Sequence, residues 1–241
     1  MPTCPDHDRT FPLSYRAFEE PLSRRLLRCW GVPAILVLLA AAALPIDLTL
    51  SEFCLTHHCP GDLKDLFTFS EMFGHGLGVA VIAIVIFVLD PRRRYALPRL
   101  LLCAYGGGMA ANGVKLLVAR TRPRHFEFEA GVLNSFVEWL PPLTTSPVNQ
   151  GFPSAHTATA VGFAVGLAAL YPRGRILFGA LAAFVAGQRI QSGAHFLSDT
   201  LCGAAVGWLV AAACLYVGHL PGWMDRFEIK LGAHPPGDTE T

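Results

Sequence analysis

Gly151-Phe152-Pro153-Ser154-Ala155-His156-Thr157 runs straight into the uncharged stretch 157–171, and this junction between a polar loop and an apolar helix decides how the chain is read. Ser154 suits the cap of a helix, whose first backbone N–H groups lack intrahelical partners and attract anions. Placing a serine and a histidine at the mouth of a helix this apolar is costly unless they have a task.

The rest of the chain is of the same kind. Of its 241 residues 52% are hydrophobic and 15% charged, too apolar for an ordinary soluble protein. Crossing a bilayer takes about 20 mostly apolar residues. Runs of that character occur at about 29–46, 72–89, 97–119, 157–171, 176–189 and 199–218, the fifth being short for a full crossing. The expected fold class is therefore all-α: a polytopic membrane protein, a six-transmembrane-helix bundle with residues 1–241 forming one domain and an outer loop over 120–156. Arg24, Arg25 and Arg28 precede the first run as in a secretory signal, but the run lies deep in the chain without a convincing small-residue cleavage site, so it reads as a retained helix. No internal repeat or low-complexity tract argues for a second domain.

Lys and Arg mark cytoplasmic loops. Thirteen of the 19 fall on one side of a six-span layout: Arg9, Arg16, Arg24, Arg25, Arg28, Arg92, Arg93, Arg94, Arg99, Arg173, Arg175, Arg226 and Lys230. Both termini are thus expected in the cytoplasm, with the Arg92–Arg94 triplet as a topology anchor. Lys64 lies in the first outer loop, while Lys115, Arg120, Arg122, Arg124 and Arg189 gather around the later ones and call for another reason. A net charge of +1 with no long basic stripe gives no support to a nucleic-acid partner, and none is expected. Gly106, Gly107, Gly108 and Gly113 lie within an apolar run and are expected to permit close helix packing. Cys29, Cys103, Cys202 and Cys214 read as packing residues, as does Cys4. In the loop, beside Pro141, Pro142 and Pro147, the spacing of Val132, Leu133, Phe136, Val137 and Leu140 near Trp139 predicts a short surface helix.

Three pieces of sequence at the outer helix ends carry the chemistry. Lys115 precedes Arg122-Pro123 by seven positions, two helical turns, so both cations are expected on one helix face, with Pro123 ending the element. Ser154, Ala155 and His156 open the fourth span. Gln188-Arg189 is followed by His195 and, four positions on, Asp199, spaced so that a carboxylate at a helix start can reach and orient the imidazole. Each alone has a plain structural explanation: snorkelling cations, a cap, a structural pair. Together they bring two histidines, three cations, a helix terminus and a carboxylate to one face.

In order and internal spacing these pieces resemble the type 2 phosphatidic acid phosphatases, membrane lipid-phosphate phosphatases whose active site is related to that of the vanadium haloperoxidases. That family's signatures are Lys, six residues, Arg-Pro; Pro-Ser-Gly-His; and Ser-Arg, five residues, His, three residues, Asp. Here they read Lys115 to Arg122-Pro123, Pro153-Ser154-Ala155-His156, and Gln188-Arg189 to His195 to Asp199. The resemblance implies a six-helix bundle and hydrolysis of a lipid phosphomonoester or diphosphate through a phosphohistidine on the non-cytoplasmic face. It implies His195 as nucleophile, Asp199 as its orienter, His156 as acid and then base, and Lys115, Arg122, Ser154, Ala155 and Arg189 as the phosphate cradle. It implies a lipid phosphate as partner within the bilayer, no metal or other cofactor, no obligate protein partner, and a bacterial inner membrane. Ala155 stands where the family has Gly, and Gln188 where it has Ser, which touches rate or substrate preference rather than charge.

Other readings stay open. A lipid phosphotransferase would need the same cradle, and a silent lipid-binding or transport protein could use the cations alone. His75 reads as a packing or hydrogen-bonding histidine. Cys54-Leu55-Thr56-His57-His58-Cys59 suits a metal or, in an oxidising compartment, a Cys54–Cys59 disulfide. Arg120 and Arg124 either draw in an anionic head group or are simply solvated.

Overall fold

A computed structural model describes residues 11–15, 20–57, 59–140 and 146–234. Cys4, Arg9, Arg16, His58, Pro141 and Pro142 lie outside the described residues. The chain is mostly helical. Its helices are α1 (Leu22–Thr56), α2 (Gly61–Gly74), α3 (Gly76–Leu89), α4 (Leu97–Lys115), α5 (Ala155–Leu170), α6 (Arg175–Gln191), α7 (Leu197–Leu215) and α8 (Leu220–Lys230). α4, α5 and α7 form the centre; α1 packs on α7, α6 on α5, and α2 on α6.

The bundle wears its apolar side chains outward. Ile35, Leu38, Ile84, Phe87, Leu89 and Ile176 are all exposed, while Arg99, Arg120, Asp47 and Asp199 are fully buried. An exterior of this kind suits hydrocarbon rather than water. Small residues fill the interior. A Cβ on Gly107 would come 2.9 Å from the Ala158 carbonyl oxygen, and one on Gly207 or Gly162 would collide with the backbone carbonyl of Ala158 or Cys103. The expected packing role of glycine in the third apolar run thus holds at Gly107, and at Gly108 against Thr159, but not at Gly113, which faces open space.

Several element boundaries differ from the sequence reading. Among the described residues two helices, Leu22–Thr56 and Leu197–Leu215, are long and apolar enough to cross a membrane, or three if α2 and α3 count as one broken span; the six-span count is not reached by length and composition. The first span does not stop at Ile46. α1 continues through Asp47, because that carboxylate is fully buried against Arg120 instead of facing lipid. The second run is not one span: the chain bends by 73° between α2 and α3, and His75 caps α3 by accepting from the Leu77 N–H at 3.2 Å. His75 is exposed and hydrogen-bonded rather than packed.

The third run ends as a helix at Lys115. Val118–Arg120 forms strand β1, antiparallel to strand β2, Phe136–Trp139, in the register Val118↔Trp139, Ala119↔Glu138 and Arg120↔Phe136. The surface helix expected over 132–140 is therefore a single 3₁₀ turn, Val132–Ser135, followed by this strand. So few residues make a marginal helix in isolation, and an available partner strand satisfies their backbone groups better. Cys54 and Cys59 both carry free thiols, and His57 stacks on Phe53. Arg99, counted above as a topology marker, is wholly buried; it joins α4 to α8 through Asp225 at 2.6 Å and Glu228 at 2.8 Å. This cluster sits at the end of α4 opposite Lys115.

The close α5–α7 approach predicts that Gly207→Ala, by pushing Ala158 away, lowers stability by about 1–3 kcal/mol. Thermal unfolding in detergent reads this directly: the midpoint should fall, and an unchanged midpoint would mean that the helices have room.

Candidate active site

One end of the bundle collects the residues of the three signatures. Lys115 closes α4, Ser154 caps α5, Ala155 and His156 form its first turn, Arg189 lies in the last turn of α6, His195 precedes α7, and Asp199 occupies its first turn. Arg122 comes from the connection after β1. Lys115 and Arg122 do not share a helix face, because the helix has ended before Arg122. They still converge: Lys115 Nζ donates to the Gln150 carbonyl at 3.0 Å and Arg122 Nη2 to the same oxygen at 3.4 Å. Arg122 Nε is buried with no hydrogen-bond partner among the described residues.

His195 is 3% exposed. Its Nδ1 lies 2.6 Å from the Gly151 carbonyl, which can only accept, so Nδ1 carries the proton and Nε2 keeps its lone pair. Burial, followed by the Lys115 charge, holds the His195 pKa well below that of a free imidazole, with Arg122 and Arg189 acting in the same direction. The ring is neutral at neutral pH and surrounded by three cations. Burial and then Arg124 and Arg189 also depress the Arg122 pKa, and a guanidinium that cannot shed its proton is relieved by an anion instead.

The i, i+4 spacing led us to expect Asp199 beside His195; the two are within ion-pair range but share no hydrogen bond. Asp199 Oδ2 is 3.9 Å from Nδ1 and accepts from the Phe196 N–H at 2.8 Å, which caps α7. Its Oδ1 accepts from Arg120 Nη1 at 2.5 Å. Arg120 is neither solvated nor at the head-group surface. It is fully buried between the rings of Phe136 and Phe196, 4.4 and 4.3 Å from their centroids. It donates to Asp47 at 2.9 Å, to Ser198 at 2.7 Å and to Ser135 at 2.9 Å. Ser198 also donates to Asp47 from both its hydroxyl and its N–H. Arg124, by contrast, is exposed.

On the other flank, Arg189 Nη2 pairs with Glu71 of α2 at 2.6 Å, and the same carboxylate oxygen is 3.8 Å from His156 Nε2. Gln188, where the signature has Ser, accepts from Arg189 Nε at 2.5 Å and so helps to aim the guanidinium. The Ser154 hydroxyl, wholly buried, accepts from Thr157 Oγ1 at 3.0 Å and from the Thr157 N–H at 3.4 Å. Beside His156, at the α2–α3 break, a cavity of about 270 Å³ is lined by His75, Tyr105, Met109, Asn112 and Thr159 together with Ala155.

Glu71 and Asp47 were the residues missed, and the sequence reading places Arg120 at the head-group surface or in solvent. The first two had a signal: an acidic residue inside or at the edge of an apolar run is a functional candidate by default, and Asp47 and Glu71 each sit at such an edge.

The sequence model of the PAP2 superfamily matches residues 96–222, more than half of the chain and the whole stretch from Lys115 to Asp199. The chain belongs to that superfamily. Two proteins named lipid A 1-phosphatase, from Rhizobium etli and Rhizobium johnstonii, are each 36% identical over 100 residues, 42% of this chain and 40% and 38% of theirs. The matched part thus spans about two fifths of those relatives. The fold is shared with LpxE of Aquifex aeolicus (TM-score 0.52, 20% identity, 70% of this chain and 93% of that one). It is also shared with a transmembrane PAP2-type phosphatidylglycerolphosphate phosphatase from Bacillus subtilis (TM-score 0.56, 19% identity, 87% and 100%). PAP2 membership and the apolar exterior make the chain an integral membrane protein.

Two outcomes follow from this geometry. His195 should titrate well below the usual imidazole value near 6.5, and Lys115→Met, which removes an opposing charge, should raise that midpoint; NMR titration of the ring checks both. Because Glu71 occupies Arg189 in the free protein, Glu71→Gln should tighten inhibition by vanadate up to about fivefold, the scale of a partly exposed ion pair. Weaker inhibition would mean that Glu71 holds Arg189 in its binding pose.

Proposed function

We propose that the chain is a lipid-phosphate phosphatase that works through a phosphohistidine on His195, without a metal, at the non-cytoplasmic face. The observation that carries this is the neutral, Nδ1-protonated His195 set among Lys115, Arg122 and Arg189, with the buried Arg122 Nε unpaired. Phosphoryl transfer needs mainly positioning and charge stabilisation on the equatorial oxygens, and such a site offers both.

The His195 Nε2 lone pair forms the N–P bond as the P–O bond to the lipid breaks. The departing oxygen keeps the bonding pair and takes a proton from His156. Burial and then Arg189 hold the pKa of that imidazole down to about 4 in the free protein, while the Glu71 carboxylate 3.8 Å away and the bound phosphate anion favour its charged form. A water then attacks phosphorus and gives a proton back to His156. The P–N pair returns to His195, and inorganic phosphate leaves. The asymmetry of Lys and Arg along the chain supports placing this end away from the cytoplasm.

For the substrate we favour a phosphorylated glycolipid, such as the 1-phosphate of lipid A. The names of the two Rhizobium relatives support it, as does the cavity beside His156, where the leaving group must lie. Its imidazole, amide and threonine hydroxyl offer polar contacts that a sugar can use and a bare diacylglycerol cannot.

His195→Ala and His156→Ala should each lower release of inorganic phosphate by at least about a thousandfold in folded protein, and EDTA should leave the rate unchanged. Strict metal dependence would overturn the mechanism, and phosphate appearing on an acceptor lipid instead of in solution would make the chain a phosphotransferase. Asn112→Leu should cost about tenfold in kcat/KM on a lipid A 1-phosphate and little on phosphatidate.

A further inference from the structure

We propose that the β1–β2 hairpin is a membrane-docking surface: its apolar side chains bed into the head-group and upper acyl layer of the leaflet on the signature side, and so hold Lys115 and Arg122 at the level of lipid phosphates. The docking itself is independent of the phosphatase reading above; only its effect on turnover rests on that reading.

Six large apolar side chains, Leu116, Leu117, Leu133, Val137, Trp139 and Leu140, stand exposed around this hairpin, Trp139 at 68% and Leu140 at 73%. The ladder gathers most of them. Val118 pairs with Trp139, and the Leu140 N–H donates to the Leu117 carbonyl at 2.8 Å, so 116–117 run beside 139–140. An exposed apolar patch of this kind marks contact with a partner or a membrane. Among the described residues β2 pairs with β1 alone, and a bare apolar edge strand in water would invite pairing with other chains.

Continuity with the lipid-facing exterior selects the membrane. Leu102, Met109 and Leu116 are exposed on α4, and separations of seven return to nearly the same side of a helix. Gly113 falls on that side too and faces open space. Lys115, the one charged residue between 102 and 117, is buried, so the apolar stripe passes at Leu116 and Leu117 into the hairpin unbroken. The hairpin therefore extends a surface that already suits hydrocarbon.

Its own chemistry bounds the depth. Backbone groups on the outer edge of β2 need water or head groups as partners, and Glu138 of the same strand is exposed, so the hairpin stops at the interface. Tryptophan favours that layer, being apolar in body with one N–H to satisfy. At the far end of β1, Arg120 bridges Gln150, whose carbonyl accepts from both Lys115 and Arg122. The strand thus couples the depth of the apolar end to the position of the two cations.

The test uses the full chain in phosphatidylcholine bilayers, with the Trp139 emission taken as the difference between wild type and Trp139→Phe. That emission should be blue-shifted, fall by about half or more in lipid brominated high on the acyl chain, and respond little to aqueous acrylamide. Emission open to acrylamide and untouched by brominated lipid would put the hairpin in water and overturn the proposal. Shielding that is lost as the lipid-to-protein ratio rises would assign the surface to a second copy of the chain and overturn it equally. In a second measurement, Val137→Asp combined with Trp139→Asp should lower kcat/KM about tenfold for a long-chain lipid phosphate in vesicles and leave a short-chain, monomeric lipid phosphate within about twofold of wild type. Equal loss on both substrates would make these side chains supports of the fold, and loss on neither would leave the docking without a role; either result overturns the proposal. Wild type that hydrolyses neither substrate would remove the phosphatase reading instead, and the Trp139 emission would still decide where the hairpin lies.

Discussion

A guanidinium enclosed at zero exposure between two carboxylates and two aromatic rings is the constraint around which the signature-bearing end of this protein is organised. Its partners come from distant parts of the chain: Asp47 from α1, Ser135 and Phe136 from the loop and β2, Phe196, Ser198 and Asp199 from the start of α7. Charges so buried carry a large desolvation cost that only complete pairing offsets, and deleting one member of such a cluster typically costs about 3–5 kcal/mol. The cluster therefore ties α1, β1, β2 and α7 into one arrangement. It also explains why α1 carries an aspartate through an apolar run.

Close helix contact makes that arrangement possible. Where α4, α5 and α7 cross, glycine brings backbone against backbone at Gly107, Gly162 and Gly207, so α5 and α7 present Ser154 and Asp199 to each other, and the Ser154 N–H donates to the Asp199 carbonyl at 3.0 Å. A second buried ionic cluster, Arg99 with Asp225 and Glu228, secures the opposite end. The bundle is thus pinned at both ends by charge and along its middle by small residues, with large apolar side chains left for the lipid.

Functionally, the two flanks of the site differ. The Arg120 side is closed and fully paired, which suits holding a nucleophile still. The Glu71 side is open, with a half-exposed carboxylate on the α2–α3 pair, whose bend at His75 also lines the cavity next to His156. On this open side a carboxylate holds Arg189, and any anion reaching that guanidinium would have to displace it.

The amino-acid sequence alone determined what depends on composition and local spacing: a membrane-bound helical chain, the three signatures with their cations and histidines, and the glycine-rich packing helix. Charge content and apolar run length act locally, so they can be read without coordinates. The tertiary structure alone decided where the third helix stops, that 136–139 is a strand, and that the second run is broken at His75. It alone decided that Asp199 answers to Arg120 while Gly151 answers to His195. These depend on which partner arrives from elsewhere in the chain: a hydrogen bond or ion pair goes to whichever group is presented in the right geometry, and sequence separation says nothing about that. An i, i+4 spacing put Asp199 within 3.9 Å of His195, while the hydrogen bonds of each went to Arg120 and Phe196 on one side and to Gly151 on the other.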